Sequence, residues 1–215
     1  MATQTIPYRQ IRAHYTSTTI TVYQAYNSAI AQAAVEHQKL NASPKFSTTR
    51  MTWIKPSWAW MLYRSGYSYK DPGQARIIAI VLTHSTFLSL LRKAVVSSHD
   101  ADTTDSGAKA KKEGRSKPIN VRVQWDPERT INLEKLPYRS IQIGIPGGLV
   151  DELVEGTVKI EDVTERAREL KKMLDENVGV SLAELVAMGL ALEENVFEVD
   201  EELRAILSMD QSVLE

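Results

Sequence analysis

The sequence predicts a mixed α+β fold: compact central sheets, mixed or antiparallel, with flanking helices and a helical, acidic C-terminus. Three observations carry this expectation. Short segments rich in β-branched and aromatic residues recur at 19–26, 50–54, 76–82, 121–125 and 138–145. The segments between them alternate irregularly between helix and loop, unlike the steady strand–helix series of a parallel sheet. Beyond residue 150, helical periodicity and acidic charge take over.

Each element has a local reason. In 19–26, TITVYQAY, the alternation puts Ile20, Val22, Gln24 and Tyr26 on one face and Thr19, Thr21, Tyr23 and Ala25 on the other. Asn27 or Ser28 then caps a helix running to about Leu40, because a short polar side chain can accept from an orphan N–H. RMTWI at 50–54 reads as a short strand, Pro56 suits the first turn of a helix over 57–65, and Gly66 ends it. RIIAIVL at 76–82 is apolar throughout and reads as a buried central strand, followed by a helix over 86–96. VRVQW at 121–125 and YRSIQIGI at 138–145 alternate as strands, the second turning Ile141, Ile143 and Ile145 inward, with DPER between them as a turn. TVKI at 157–160 is a further strand. Thr164–Asp175, the run after the Ser181/Glu184 capping box, and Asp200–Leu207 are helices.

The 215 residues suit one domain or two small ones. The division expected is a single α+β domain over 1–175 and a C-terminal helical extension over 176–215. A flexible insertion near 97–118 is expected because that stretch has almost no apolar residue with which to build a core. With no cysteine, thiol catalysis and Cys-ligated metals are excluded. No apolar run approaches the about 20 residues needed to cross a bilayer, and the first ten residues lack the apolar core of a signal peptide. A cytoplasmic protein with no membrane partner is the expectation.

The net charge of −1 hides a division. Residues 1–150 hold 20 Lys and Arg against 9 Asp and Glu, whereas residues 151–215 hold 6 against 18. A basic body suits a nucleotide, another phosphate-bearing ligand or RNA; equally, the acidic end can pack on the body and neutralise it. The chain has no phosphate loop of the G-x-x-x-x-G-K type, no G-x-G-x-x-G, no H-E-x-x-H and no G-x-S-x-G. Its four histidines have no ligand-like spacing, so no metal is expected.

Four groups of residues remain as candidates. Arg12, His14, Tyr23 and Gln24 surround the first long strand; if it is regular, only one of Tyr23 and Gln24 faces a pocket. Arg50, Trp53 and Lys55 precede a helix N-terminus, whose free N–H groups suit an anion. Arg64 lies four residues from Trp60, within cation–π reach, and Tyr67 and Tyr69 offer faces on which a base can stack. Arg139 shares a strand face with Ile141, and Ser140 shares the other with Gln142. Core packing, strand-edge hydrogen bonds and solvated surface are the competing explanations for each group.

Taken together, RAHYTSTTITVYQAY (12–26), RMTWIKPSWAWMLYRSGY (50–67), VRVQWDPER (121–129) and PYRSIQIG (137–144) resemble the domain of unknown function 4291 family over about residues 8–170. More remotely, the order of these segments is similar to the ADP-ribosyltransferase superfamily. That likeness implies sheets of ADP-ribosyltransferase-like type and NAD as the cofactor. Carried over, the likeness puts Tyr23 and Gln24 on the first strand near the NAD, Arg50 and Thr52 on the second, and Gln142 at about the place of the superfamily's Glu. With the four groups above, the expected reacting centre is Tyr23, Gln24, Gln142 and His14, with Arg12, Arg50, Trp53, Lys55, Arg64, Tyr67 and Arg139 expected around the cofactor. The chain departs from the pattern twice. Gln142 stands where the better-known enzymes carry a Glu, and Gln74-Ala75 stands where the 4291 family usually has Gln-Glu.

The function implied is an NAD-dependent transferase acting on a nucleotide, nucleic-acid or protein acceptor. The alternatives are a non-catalytic nucleic-acid or nucleotide-binding module, a metal-independent RNA-processing enzyme, and a regulatory protein whose aromatic cluster is simply core.

Overall fold

A computed structural model describes residues 6–97, 120–177 and 179–210. The fold is mixed α+β, with several sheets and flanking helices. In chain order its elements are β1 (Arg12–Ala13), β2 (Thr19–Tyr26), α1 (Ser28–His37), β3 (Thr52–Ile54), α2 (Trp58–Ser65), β4 (Arg76–Thr83), α3 (His84–Arg92) and β5 (Ala94–Val96). There follow β6 (Val121–Arg129), β7 (Lys135–Ile145), α4 (Val150–Glu155), β8 (Thr157–Asp162), α5 (Thr164–Glu176), α6 (Leu182–Ala187), β9 (Asn195–Val196) and α7 (Glu201–Ile206). Among the described residues, no helix is long and apolar enough to cross a membrane.

Two sheets carry the molecule. One has the order β2-β4-β8 and is antiparallel throughout. The other has the order β3-β7-β6-β5, antiparallel except for the parallel pair β5–β6. A small third pairing sets β1 antiparallel to β9, drawing the C-terminal segment back onto the start of the chain.

β4 is the central strand its apolar run predicts. Ile78, Ile80 and Leu82 join one core cluster with Ile20, Val22, Ala31 and Ala34, while Ile77 and Ala79 join a second with Tyr23, Met61, Leu62 and Leu170. Burial on both faces is why β4 reads as a continuous apolar run rather than an alternating one.

A backbone bridge joins the two sheets, which also share a hydrophobic core. Tyr23 N–H donates to the Lys55 carbonyl at 2.7 Å, and Lys55 N–H returns a bond to the Tyr23 carbonyl at 3.0 Å. This reciprocal pair is a single antiparallel bridge. It fixes the residue after β3 against the middle of β2.

Asn27 accepts from Ile30 N–H at the start of α1, as the sequence suggests. At α2 the cap is Ser57, which accepts from Trp60 N–H, so Pro56, expected in the first turn of that helix, lies just before the cap instead. Gly66 closes α2 at φ +56°, a left-handed conformation that costs glycine little. Ser181 and Glu184 form a reciprocal capping box on α6.

Three segments differ from the sequence reading. The helix placed over 86–96 ends at Arg92, and Ala94–Val96 become a strand paired with Val121–Val123; sheet pairing and β-branched Val95 and Val96 prevail there. The expected turn DPER is strand, because β6 runs on through Arg129 with a register shift between Pro127 and Arg129. Pro127 is tolerated because β5 pairs only with Val121–Val123, leaving that side of β6 without a described strand partner. The run after the capping box leaves the helix at Ala187, ahead of Gly189 at φ +73°. The expected insertion at 97–118 lies, apart from Ser97, outside the described residues.

At the end of β7 the chain passes very close to the loop that carries Arg50. A Cβ on Gly147 would lie 1.5 Å from the Thr48 carbonyl oxygen, a backbone atom that cannot rotate away. Gly147→Ala is therefore expected to destabilise the protein by about 1–3 kcal/mol, lowering the thermal midpoint by about 2–4 °C for each kcal/mol. Differential scanning calorimetry checks this, and an unchanged midpoint would show that the two segments separate freely.

Candidate functional site

Helix α2 packs against β6 and β2, and the alternation of β6 and its partner β7 decides what lies beneath it. Val123 and Trp125 turn with Ile141, Ile143 and Ile145 into the core. Gln124, Asp126 and Glu128 point the other way, and all three are buried. In the register, Gln124 faces Gln142 and Asp126 faces Ser140. The result is a buried polar seam beneath α2, opening into a cavity at each end.

The first cavity, about 550 Å³, is lined by Gln24, Arg50, Trp53, Lys55, Arg64, Gln74, Gln124 and Gln142, among others. Arg50 and Arg64 are exposed at its rim, whereas Lys55 is only 3% exposed at its base. Among the described residues, none of these three cations forms an ion pair. The Lys55 ammonium lies 5.3 Å from the centre of the Trp60 ring and donates one long bond, 3.4 Å, to the Trp53 carbonyl. Burial, and then the neighbouring Arg64 charge, pull the Lys55 pKa down to about 7, while Asp126 opposes the shift. Gln142 Nε2 donates to Gln124 Oε1 at 2.8 Å and to Asp126 Oδ2 at 2.7 Å, which fixes its carboxamide on the cavity wall. Asp71 holds the adjoining turn, accepting from Gly73 N–H at 2.8 Å and Gln74 Nε2 at 2.6 Å.

The second cavity, about 310 Å³, lies at the N-terminus of α2 and is lined by Arg12, Ser57, Trp58, Glu128, Tyr138 and Glu194 among more apolar neighbours. Ser57 donates to Glu128 Oε1 at 2.8 Å, and Glu194 Oε1 accepts from Trp58 N–H at 2.6 Å. The acceptor at this helix end is thus the protein's own carboxyl group. Burial holds the Glu128 carboxyl above the usual range against the hydrogen bonds it accepts from Arg129 N–H and Ser57. Burial likewise pushes Glu194 up to about 8, with the Trp58 amide opposing the shift and Glu128 adding to it.

Six of the eleven residues singled out in the sequence meet in the first cavity: Gln24, Arg50, Trp53, Lys55, Arg64 and Gln142. Arg12 lines the second, where it also donates to the Glu194 carbonyl at 2.8 Å. Of the pair on β2, Gln24 faces the first cavity, while Tyr23 is buried in the core against Trp58, at 4.9 Å between ring centres. Tyr67 is also in that core, donating to the Ile131 carbonyl. Arg139 donates to Tyr8 Oη and the Trp125 carbonyl, and His14 contacts the Glu193 carbonyl; neither lines either cavity. The cation facing Trp60 is Lys55, and Ser57 with the helix N-terminus belongs to the second cavity.

Asp126, Glu128 and Glu194 did not emerge from the sequence. The signal for the first two is the two-residue spacing of Gln124, Asp126 and Glu128, which reading DPER as a turn conceals. Glu194 gives no local signal, being brought from the distant C-terminal segment. Among the described residues, no group of three or more His, Cys, Asp or Glu is arranged to hold a metal ion.

These features define a mixed α+β protein with a cationic cavity where its two sheets meet and a carboxylate-lined cavity at the other end of one helix. The family model described as "Domain of unknown function (DUF4291)" matches residues 10–194, a span that includes every residue lining the two cavities, and the chain belongs to this family. No curated protein matches the chain significantly.

The two shifted groups oppose each other in their effect on stability. Between pH 4.5 and 8 the folded state keeps a proton on Glu194 that the unfolded chain releases, so stability falls as pH rises. Between pH 7 and 10.5 the folded state lacks a proton on Lys55 that the unfolded chain holds, so stability rises with pH. Glu194→Gln keeps an acceptor for Trp58 N–H but cannot ionise. Its stability is expected to gain on the wild type steadily from pH 5 to pH 8 in urea titrations, and parallel curves for the two proteins would refute the assignment.

Proposed function

We propose that the first cavity binds a phosphate-bearing nucleotide and that the protein is an NAD-dependent transferase of ADP-ribosyltransferase-like type. The acceptor is a nucleotide, a nucleic-acid end or a protein side chain. The observation that carries this reading is the convergence of Arg50, Lys55 and Arg64, none of them ion-paired among the described residues, with Gln24, Trp53 and Gln142 in one cavity. Other cations of the body are neutralised by acids from later in the chain, Arg76 by Asp162 and Arg92 by Asp200. An anion in the cavity supplies what these three lack.

In this reading Arg50 and Arg64 grip the phosphates, since guanidinium forks match phosphate oxygens and stay charged at any working pH. Trp53 provides a face for an aromatic ring. Gln142, fixed through its amide nitrogen, leaves its oxygen to accept from a ribose hydroxyl. Asp126 supplies the negative field that favours positive charge developing on the sugar. Bound NAD would supply the ADP-ribosyl group: the bond from ribose to nicotinamide breaks, nicotinamide leaves with the electron pair, and the acceptor takes its place and loses a proton.

The amide at Gln142 favours a second reading, a module that holds the nucleotide without turning it over, because an amide is a poor general base. Nicotinamide release in the presence of RNA or protein acceptors separates the two.

The thermal midpoint is expected to rise with NAD and with ADP-ribose, because a ligand of the folded state stabilises it by mass action. Arg64→Ala is expected to weaken ADP-ribose binding by about 10-fold or more, the loss of one hydrogen bond to a charged group. No shift with millimolar NAD or ADP-ribose would reject the nucleotide site; a shift with 5′-phosphorylated RNA alone would turn the reading to RNA binding or processing.

A further inference from the structure

We propose that the Lys55 amine is a nucleophile that forms an imine with the carbonyl carbon of a phosphate-bearing sugar held in the Arg50–Arg64 cavity. The inference rests on that cavity being a phosphate site and adds a substrate class, sugars with a free or openable aldehyde, and a covalent step.

The geometry of Lys55 carries it. A lysine buried for structural reasons is tied by a carboxylate or by several carbonyls, since an ammonium has three donors to satisfy. Lys55 is almost wholly buried, lines the cavity, and among the described residues makes one hydrogen bond, long at 3.4 Å. Its backbone is locked in both directions to Tyr23, so the side chain rises from a rigid point. Arg64 lies near enough for its charge to disfavour a second cation. Desolvation next to another cation is a recurring way of activating an amine, and a pKa of about 7 leaves a large neutral fraction at neutral pH. Arg50 and Arg64 at the rim are placed to hold a phosphate while the sugar reaches inward. The Trp60 face that now meets the ammonium would meet the iminium in the same way.

The step balances without a further reactant. The nitrogen lone pair attacks the aldehyde carbon, the carbonyl oxygen takes up a proton, and the carbinolamine hydroxyl leaves as water. One amine and one aldehyde thus give one imine and one water. The proton that nitrogen loses and the proton that the departing hydroxyl gains are exchanged with solvent in the open cavity.

The test uses the full-length protein at pH 7 with pyridoxal 5′-phosphate, an aldehyde bearing a phosphate, against pyridoxal, which lacks one. Borohydride reduction and peptide mapping locate the adducts, and ribose 5-phosphate with cyanoborohydride repeats the measurement with a sugar. Lys55 is expected to be the principal site for both phosphate-bearing aldehydes. Its modification should be at least 10-fold faster with pyridoxal 5′-phosphate than with pyridoxal, and slowed by inorganic phosphate. Modification confined to exposed lysines such as Lys39, Lys45 and Lys70, or equal rates at Lys55 with the two pyridoxals, would overturn the proposal. If ADP-ribose still raises the thermal midpoint in that case, the nucleotide site stands and only the nucleophile falls; if it does not, both fall. Lys55→Arg, which removes the nucleophilic amine, should lose the adduct. Because the mapping is done on the wild type, the conclusion does not depend on that variant folding.

Discussion

The reciprocal backbone pair between Tyr23 and Lys55 is the constraint on which the site depends. It is the bridge between a sheet built around β4 and a sheet built around β7. With this pair formed, Tyr23 is committed to the core and its neighbour Gln24 to the cavity, because successive strand residues point to opposite faces. It also holds Lys55 at the base of the cavity and leads through Pro56 into the N-cap of α2. Arg64 then reaches the same cavity from near the far end of that helix. A lysine would not choose so buried a position unaided; the backbone bonds of its own residue and the packing of α2 hold it there.

Charge is arranged along the polar seam under α2 with the same economy. Cations gather at one end, around Gln24 and Gln142, and carboxylates at the other, around Ser57 and the helix N-terminus. At that end Glu194 acts as a hydrogen-bond acceptor for a free N–H of the helix N-terminus. Glu194, which satisfies that end, comes from the acidic C-terminal segment, held in place by the β1–β9 pairing, by Arg12 on its own carbonyl and by His14 on the Glu193 carbonyl. Packing of the acidic end on the basic body and an anion site on that body were two ways to explain the charge division. The structure combines the first with room for the second: the acids cover Arg76, Arg92 and the α2 terminus, and leave Arg50, Lys55 and Arg64 without an ion pair among the described residues.

Much of the fold was legible because its signals are local. Period-two alternation marks β2 and β7, a continuous apolar run marks β4, and side-chain oxygens at Asn27 and Ser181 mark helix starts. Where a local signal met a tertiary one, the tertiary one prevailed. Val95 and Val96 left the helix for a parallel partner, and Pro127 stayed within a strand because β5 does not reach it. That second misreading also hid the carboxylates, since a turn at 126–129 has no faces on which Asp126 and Glu128 could align with Gln124.

By itself, then, the sequence determined the α+β class, most strands and helix caps, and the residue types that a phosphate site requires. Alternation could say that Tyr23 and Gln24 lie on opposite faces; it could not say which face meets the core. Only the tertiary structure decided that, together with the gathering of Gln24, Arg50, Lys55, Arg64 and Gln142 into one cavity and the return of Glu194 to α2. The physical reason is one of range. Backbone propensity and capping act over a few residues, whereas burial, pKa shifts and unpaired charge depend on neighbours that the chain brings together from more than a hundred residues away.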